Sequence, residues 1–154
     1  MTQTMQKLAI GFLAIFILSG CSSKKLNTGS MGSEVESSLQ ADFEKNVGDR
    51  VFFAFDKSDL SRCSKVQLEK QVAWLVAHPT TKATIEGHCD EMGTGDYNIA
   101  LGNRRADAVV SFLKHKGIDA NRLEAISYGK NRPAVIGNDE KSRAQNRRGV
   151  TIVR

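Results

Sequence analysis

For residues 49–154 the sequence predicts an α/β sandwich: one four-stranded sheet with helices packed on one of its faces. Two observations carry this. Short β-prone runs alternate with longer stretches whose apolar residues recur at helical spacing. Strands joined through a helix pair in parallel by a right-handed crossover, so the helices collect on one side.

The elements follow in order. Val51-Phe52-Phe53-Ala54-Phe55 is a continuous apolar run, as expected of a buried strand. Ser64-x-x-Gln67 has the form of a capping box, and Leu68, Val72, Leu75 and Val76 follow on one helical face until Pro79 stops the helix. Ala83 to His88 alternates and reads as a second strand. Asp96 is placed to cap the next helix, Ile99, Ala106, Val109, Val110 and Leu113 share its face, and Gly117 sits where a C-cap belongs. Leu123–Tyr128 and Val150–Val153 supply two further strands, with a Gly/Asn/Pro-rich loop or short helix between them.

The N-terminus is different in kind. Lys7 precedes an uncharged run from Leu8 to Leu18. Eleven helical residues span only about 16 Å, too short to cross a bilayer. A basic start, a short apolar run and small residues after it describe an export signal over residues 1–20. Its end, Leu18-Ser19-Gly20-Cys21, resembles the lipobox of bacterial lipoproteins. That resemblance implies cleavage before Cys21 and lipidation of its thiol, and several acyl chains anchor stably where one does not. Ser22 stands where Asp marks inner-membrane retention, so the outer membrane is expected. Residues 21–48 are rich in Ser, Gly, Lys and Asn, with scattered apolar residues, and read as a flexible tether. A short helix over Glu34 to Phe43 is the alternative within it.

Charge excludes little, but it argues against nucleic acid. The net charge of +5 comes without a Lys/Arg block of the kind that tracks phosphates. No cofactor or metal is expected, because His78, His88 and His115 have no ligand spacing with either of the later cysteines.

The candidate site is Gly87-His88-Cys89-Asp90-Glu91-Met92-Gly93, followed by Tyr97-Asn98-x-x-Leu101-Gly102-x-Arg104-Arg105-Ala106. A polar turn at a strand exit is where open α/β sheets place ligands. A carboxylate on the loop and a guanidinium on the helix make a clamp of two signs, which suits an amino-acid centre with free amine and carboxylate. Asp90 has a second reading as an ordinary turn residue. Arg104 reads better as a surface or packing residue. Arg147 and Arg148 either close the pocket or flank a strand. His88 reads as a strand-end residue bonded locally.

These pieces, with Phe55-Asp56-x-Ser58, Ser127-Tyr128-Gly129 and Asn146-Arg147-Arg148, stand in the order and spacing of a known family. Over residues 50–154 the chain resembles the OmpA-like peptidoglycan-binding domain family, within it most closely the peptidoglycan-associated lipoprotein branch of the Tol–Pal system. The resemblance implies a mixed sheet in β-α-β-α-β-(α)-β order and non-covalent binding of the diaminopimelate in the wall's stem peptide. It implies Asp90 and Arg105 as the ligand-binding pair, with Phe55 and Asp56 lining the same pocket and Leu101 and Arg148 as further lining residues. It also implies peptidoglycan as partner, a periplasmic β-propeller protein of the Tol system as a second partner, and a role in envelope integrity and cell division.

Cys89 beside His88 looks superficially like a nucleophile with its base. Neighbours on an extended strand point to opposite faces, so no catalytic geometry and no enzyme is expected. Cys63 and Cys89 each follow a strand closely, in an exported chain, and a disulfide between them is expected.

Overall fold

The chain runs α1 (Ser30–Asn46), β1 (Arg50–Phe52), α2 (Arg62–Ala77), β2 (Ala83–His88), α3 (Gly95–His115), a 3-10 turn (Ala120–Arg122), β3 (Leu123–Gly129), α4 (Glu140–Asn146) and β4 (Arg148–Val153). This computed structural model describes residues 30–154; the expected signal, the lipobox with Cys21 and the start of the expected tether lie outside the described residues.

The sheet is mixed and open, in the order β1-β4-β2-β3. β2 and β3 pair in parallel through α3, as a crossover requires. β1 does not pair with β2. The last strand inserts between them, antiparallel to both, with Val51 opposite Gly149 and Ile85 opposite Thr151. Register therefore sorts the side chains. Val51, Ala83, Ile85 and Val153 face the helices and join Phe43, Leu68, Leu75, Val109 and Leu113 in one core. Arg50, Phe52, Thr84, Glu86, His88, Arg148 and Val150 take the other face.

Two cap assignments change. α2 is capped by Ser61, whose Oγ accepts from the Ser64 N–H; Ser64 instead donates its hydroxyl to the Phe52 carbonyl at 3.0 Å. α3 is capped by Thr94, not Asp96, which lies within the first turn, where its charge still suits the positive helix end. Gly117 does end α3, at φ 97°, with Ile118 N–H reaching back to the Leu113 carbonyl.

The expected tether gives way to folded chain earlier than residue 48. Leu39 and Phe43 on α1, and Val47 just past its end, recur every four residues and so lie on one stripe. Phe43 is fully buried and meets the Trp74 ring edge-on at 5.0 Å, while the Trp74 N–H donates to Asp42. Gln71, also fully buried, donates to the Gly48 carbonyl and accepts from the Thr151 hydroxyl, tying α2 to the start of β1 and to β4.

One contact sets how close α3 lies to the sheet. A Cβ on Gly87 would come within 1.9 Å of the Gly102 carbonyl oxygen, and one on Gly102 within 2.2 Å of Ser127 Oγ. Backbone meets backbone there, and only glycine fits. Gly87→Ala is expected to lower stability by about 3 kcal/mol through forced separation of β2 and α3, measured by denaturant unfolding. Phe43→Ala is expected to cost about 3–5 kcal/mol in the same assay, whereas a tether residue would cost nothing.

Candidate functional site

Three segments meet at one end of the sheet: the exit of β2, the first turns of α3 and the loop from β1 to α2. Together they wall a cavity of about 230 Å³, lined by Phe55, Asp56, Asp90, Met92, Gly93, Tyr97, Asn98, Leu101 and Arg105. That volume is smaller than a drug-sized pocket and suits a small head group.

Arg105 extends from the middle of α3 and is fully buried. Its Nε donates to the Lys57 carbonyl at 2.9 Å, Nη1 to His88 at 2.8 Å and Nη2 to Ala54 at 3.2 Å. A guanidinium has five N–H groups, so one remains on each terminal nitrogen for a ligand. The face of Phe53 lies 5.2 Å beneath it. Burial pulls the Arg105 pKa down, but it stays a cation.

Asp90 lies just past β2, separated from it by Cys89, and is buried. Its Oδ1 accepts from the Met92 N–H at 3.2 Å, a turn bond, and its Oδ2 accepts from Arg147 Nη1 at 3.1 Å. Asp56 sits at φ 56°, the left-handed region, and its carboxylate accepts from the Tyr97 hydroxyl across the mouth of the cavity. That bond pushes the Tyr97 pKa up. Asn98, nearly fully buried, clips the loop by donating to the carbonyls of Met92 and Thr94.

Of the residues expected at the site, Phe55, Asp56, Asp90, Leu101 and Arg105 line this one cavity. Arg148 does not. Its side chain lies on the opposite sheet face, donating to the carbonyls of Asn146 and Arg132, because its register against Phe52 sends it there. The neighbouring Arg147 is the arginine that reaches Asp90. Met92, Gly93, Tyr97 and Asn98 were not expected as lining, although all four stand within the motifs that marked the loop. Arg104 is exposed and rests over the Tyr97 ring.

The disulfide is corrected: both thiols are free. Cys63 is exposed on the first turn of α2, beside β1, whereas Cys89 is buried beside β2, and β4 lies between those strands. The Cys89 thiol donates to the Asn98 carbonyl, and burial raises its pKa, so it stays a thiol. His88 points to the other face, so the two form no nucleophile–base pair. A larger cleft of about 370 Å³ lies between β1 and α2, but its one charged lining residue, Arg50, is already paired with Asp49. Among the described residues no cluster of metal-ligating side chains occurs, and no helix is long and apolar enough to cross a membrane.

The model of the OmpA family matches residues 52–147, which span every element of this site. The chain belongs to the OmpA family. The peptidoglycan-associated lipoprotein of Agrobacterium fabrum is 41% identical over 162 residues, covering 97% of this chain and 91% of that one. That of Haemophilus influenzae is 49% identical over 100 residues, 65% of each chain. Among solved structures, the peptidoglycan-associated lipoprotein of Burkholderia pseudomallei superimposes with a TM-score of 0.69 at 35% identity, covering 72% of this chain and 96% of that one. The C-terminal domain of Helicobacter pylori MotB, at 19% identity and a TM-score of 0.64, shares the fold.

Two measurements follow from this chemistry. In the unreduced protein, Cys63 is expected to react at once with a thiol reagent and Cys89 only after unfolding; loss of both signals would mean they pair. Burial, with Arg148 nearby, depresses His88 to about 4. Above about pH 6.5 both folded and unfolded forms are neutral there, so nothing is lost. As pH falls from about 6.5 towards 4 the unfolded chain takes up a proton that the folded chain refuses, and stability drops. His88→Gln is expected to flatten that part of the stability–pH curve.

Proposed function

We propose that this chain is a lipid-anchored protein of the outer membrane whose periplasmic domain grips peptidoglycan without altering it. The observation that carries this is the cavity at the exit of β2, where Asp90 and Arg105 present opposite charges without pairing with each other. A free amino-acid centre is the complement of that arrangement. Its ammonium meets the Asp90 carboxylate, and its carboxylate meets the two remaining N–H groups of Arg105. In the wall, the far centre of diaminopimelate in the stem peptide is such a group. The names of the relatives, which associate them with peptidoglycan, support the reading. Phe55 and Leu101 would cover the apolar chain that leads to the charged head, and Asp56 and Tyr97 would close over it.

The anchor would be lipid on Cys21, after removal of residues 1–20, with the chain between Cys21 and α1 spanning the distance to the wall. Within the Tol–Pal system the domain would also meet the periplasmic β-propeller protein, joining the wall to the machinery of envelope integrity and division. The exposed Phe55, Met92, Tyr97 and Ile99 around the cavity favour a protein partner at the same rim.

The test is sedimentation of the full-length lipoprotein, in detergent, with purified sacculi. Wild type is expected to sediment and to be released by free diaminopimelate. Asp90→Ala removes one charge-assisted contact, about 1.5–3 kcal/mol, and is expected to bind about 10- to 150-fold more weakly. If it sediments as wild type does, the cavity is not the wall site. Retained binding of the β-propeller partner by the same variant would separate the two roles.

A further inference from the structure

Opposite charges on the wall of one shielded cavity attract strongly, and a pair that closed on itself would have nothing left for a zwitterion. Asp90 and Arg105 nevertheless form no ion pair. Each is held by something else. Arg105 is spread over three carbonyls. Asp90 is held by Arg147, with both side chains 6% exposed.

Arg147 is itself fixed at several points. Its Nε donates to the Phe53 carbonyl at 3.3 Å, and its Nη2 to Glu140 Oε1 at 2.5 Å. Its own carbonyl accepts from the Phe53 N–H at 2.9 Å, so backbone and side chain are anchored to the same residue. One turn earlier, Arg143 pairs with Glu91 at 2.7 Å. Two arginines four residues apart, one within α4 and one at its C-cap, thus hold two consecutive acids of the β2 exit loop. Arg147 does not line the cavity.

We infer that Arg147 is a positioning residue for ligand binding: it holds the Asp90 carboxylate off Arg105 and keeps the two-signed clamp open. The inference rests on the wall-binding function proposed above. A guanidinium suits the task because its planar fork takes Asp90 and Glu140 at once while its Nε holds the strand. Glu140 is 70% exposed at the side chain and balances the second half of the fork at the surface.

The test is a double-mutant cycle on the full-length lipoprotein in detergent, read by sedimentation with sacculi in sufficient excess to measure residual binding of Asp90→Asn. Thermal unfolding of each variant accompanies it. Arg147→Met is expected to weaken binding by about tenfold or more in the wild-type background and by less than about twofold in Asp90→Asn, because it acts through Asp90. Arg147→Lys, with charge but no fork, is expected to recover part of the loss. A purely structural role would weaken both backgrounds by the same factor, and that result, or binding of Arg147→Met within twofold of wild type, overturns the inference. Should Arg147→Met fail to fold, Glu140→Gln decides. It loosens the outer anchor of Arg147 and is expected to cost about two- to fivefold in wild type and nothing in Asp90→Asn; an unchanged or additive effect overturns the inference. If wild type does not sediment, or Asp90→Asn sediments as wild type does, the wall-binding function itself fails and the role of Arg147 falls with it.

Discussion

The guanidinium of Arg105 donates to carbonyls of Ala54, Lys57 and His88, and those three acceptors belong to the exit of β1, the loop beyond it and the end of β2. None of these carbonyls lies inside a helix, and each would be costly to bury without a donor. One side chain from α3 reaches all three, sharing the Ala54 carbonyl with the Lys57 N–H, and draws the segments together. The close approach it needs is secured one turn earlier, where Gly102 on the same helix lies against Gly87 of β2 with no room for a side chain. The cavity is what remains between segments so arranged.

Burying a cation and a carboxylate side by side is favourable only if each is satisfied, and the molecule satisfies them separately. Arg105 is paired with neutral dipoles, which leave its charge uncancelled. Asp90 is paired with Arg147, which is shared with Glu140. The working end is therefore charged but not collapsed, and the arginine that holds Asp90 stands at the junction of the last helix and the last strand.

The opposite face of the sheet carries a second polar cluster. His88 lies buried between Glu86 and Tyr128, with its Nδ1 unpartnered among the described residues, and Arg132 stacks over Tyr128. Arg148 bonds the Arg132 carbonyl there. Because His88 sends its side chain to this face and its carbonyl to Arg105, the two faces are joined at one residue. The charge state of that histidine bears on stability, while the site itself lies on the helix side.

Sequence patterns alone marked out much of this. The alternation from Ala83 to His88 and the helical stripes ending at Pro79 and Gly117 are local signals, and local backbone preference together with burial of one face is enough to place them. The apolar run from Val51 to Phe55 placed a strand, but β1 ends at Phe52, and Phe52, Ala54 and Phe55 are exposed rather than buried. The acid at a strand exit and the arginine on the next helix were legible for the same reason, since both stand in short motifs. What failed needed contacts between distant residues. The stripe of Leu39, Phe43 and Val47 becomes a core element only once Trp74 and Leu75 are there to receive it. The insertion of β4 between β1 and β2 decided that Cys63 and Cys89 stay apart, and the register of that strand decided that Arg147, not Arg148, reaches Asp90. A strand's alternation states that neighbours point opposite ways; which way is set by its partners, and those are chosen by the whole core rather than by any stretch of chain.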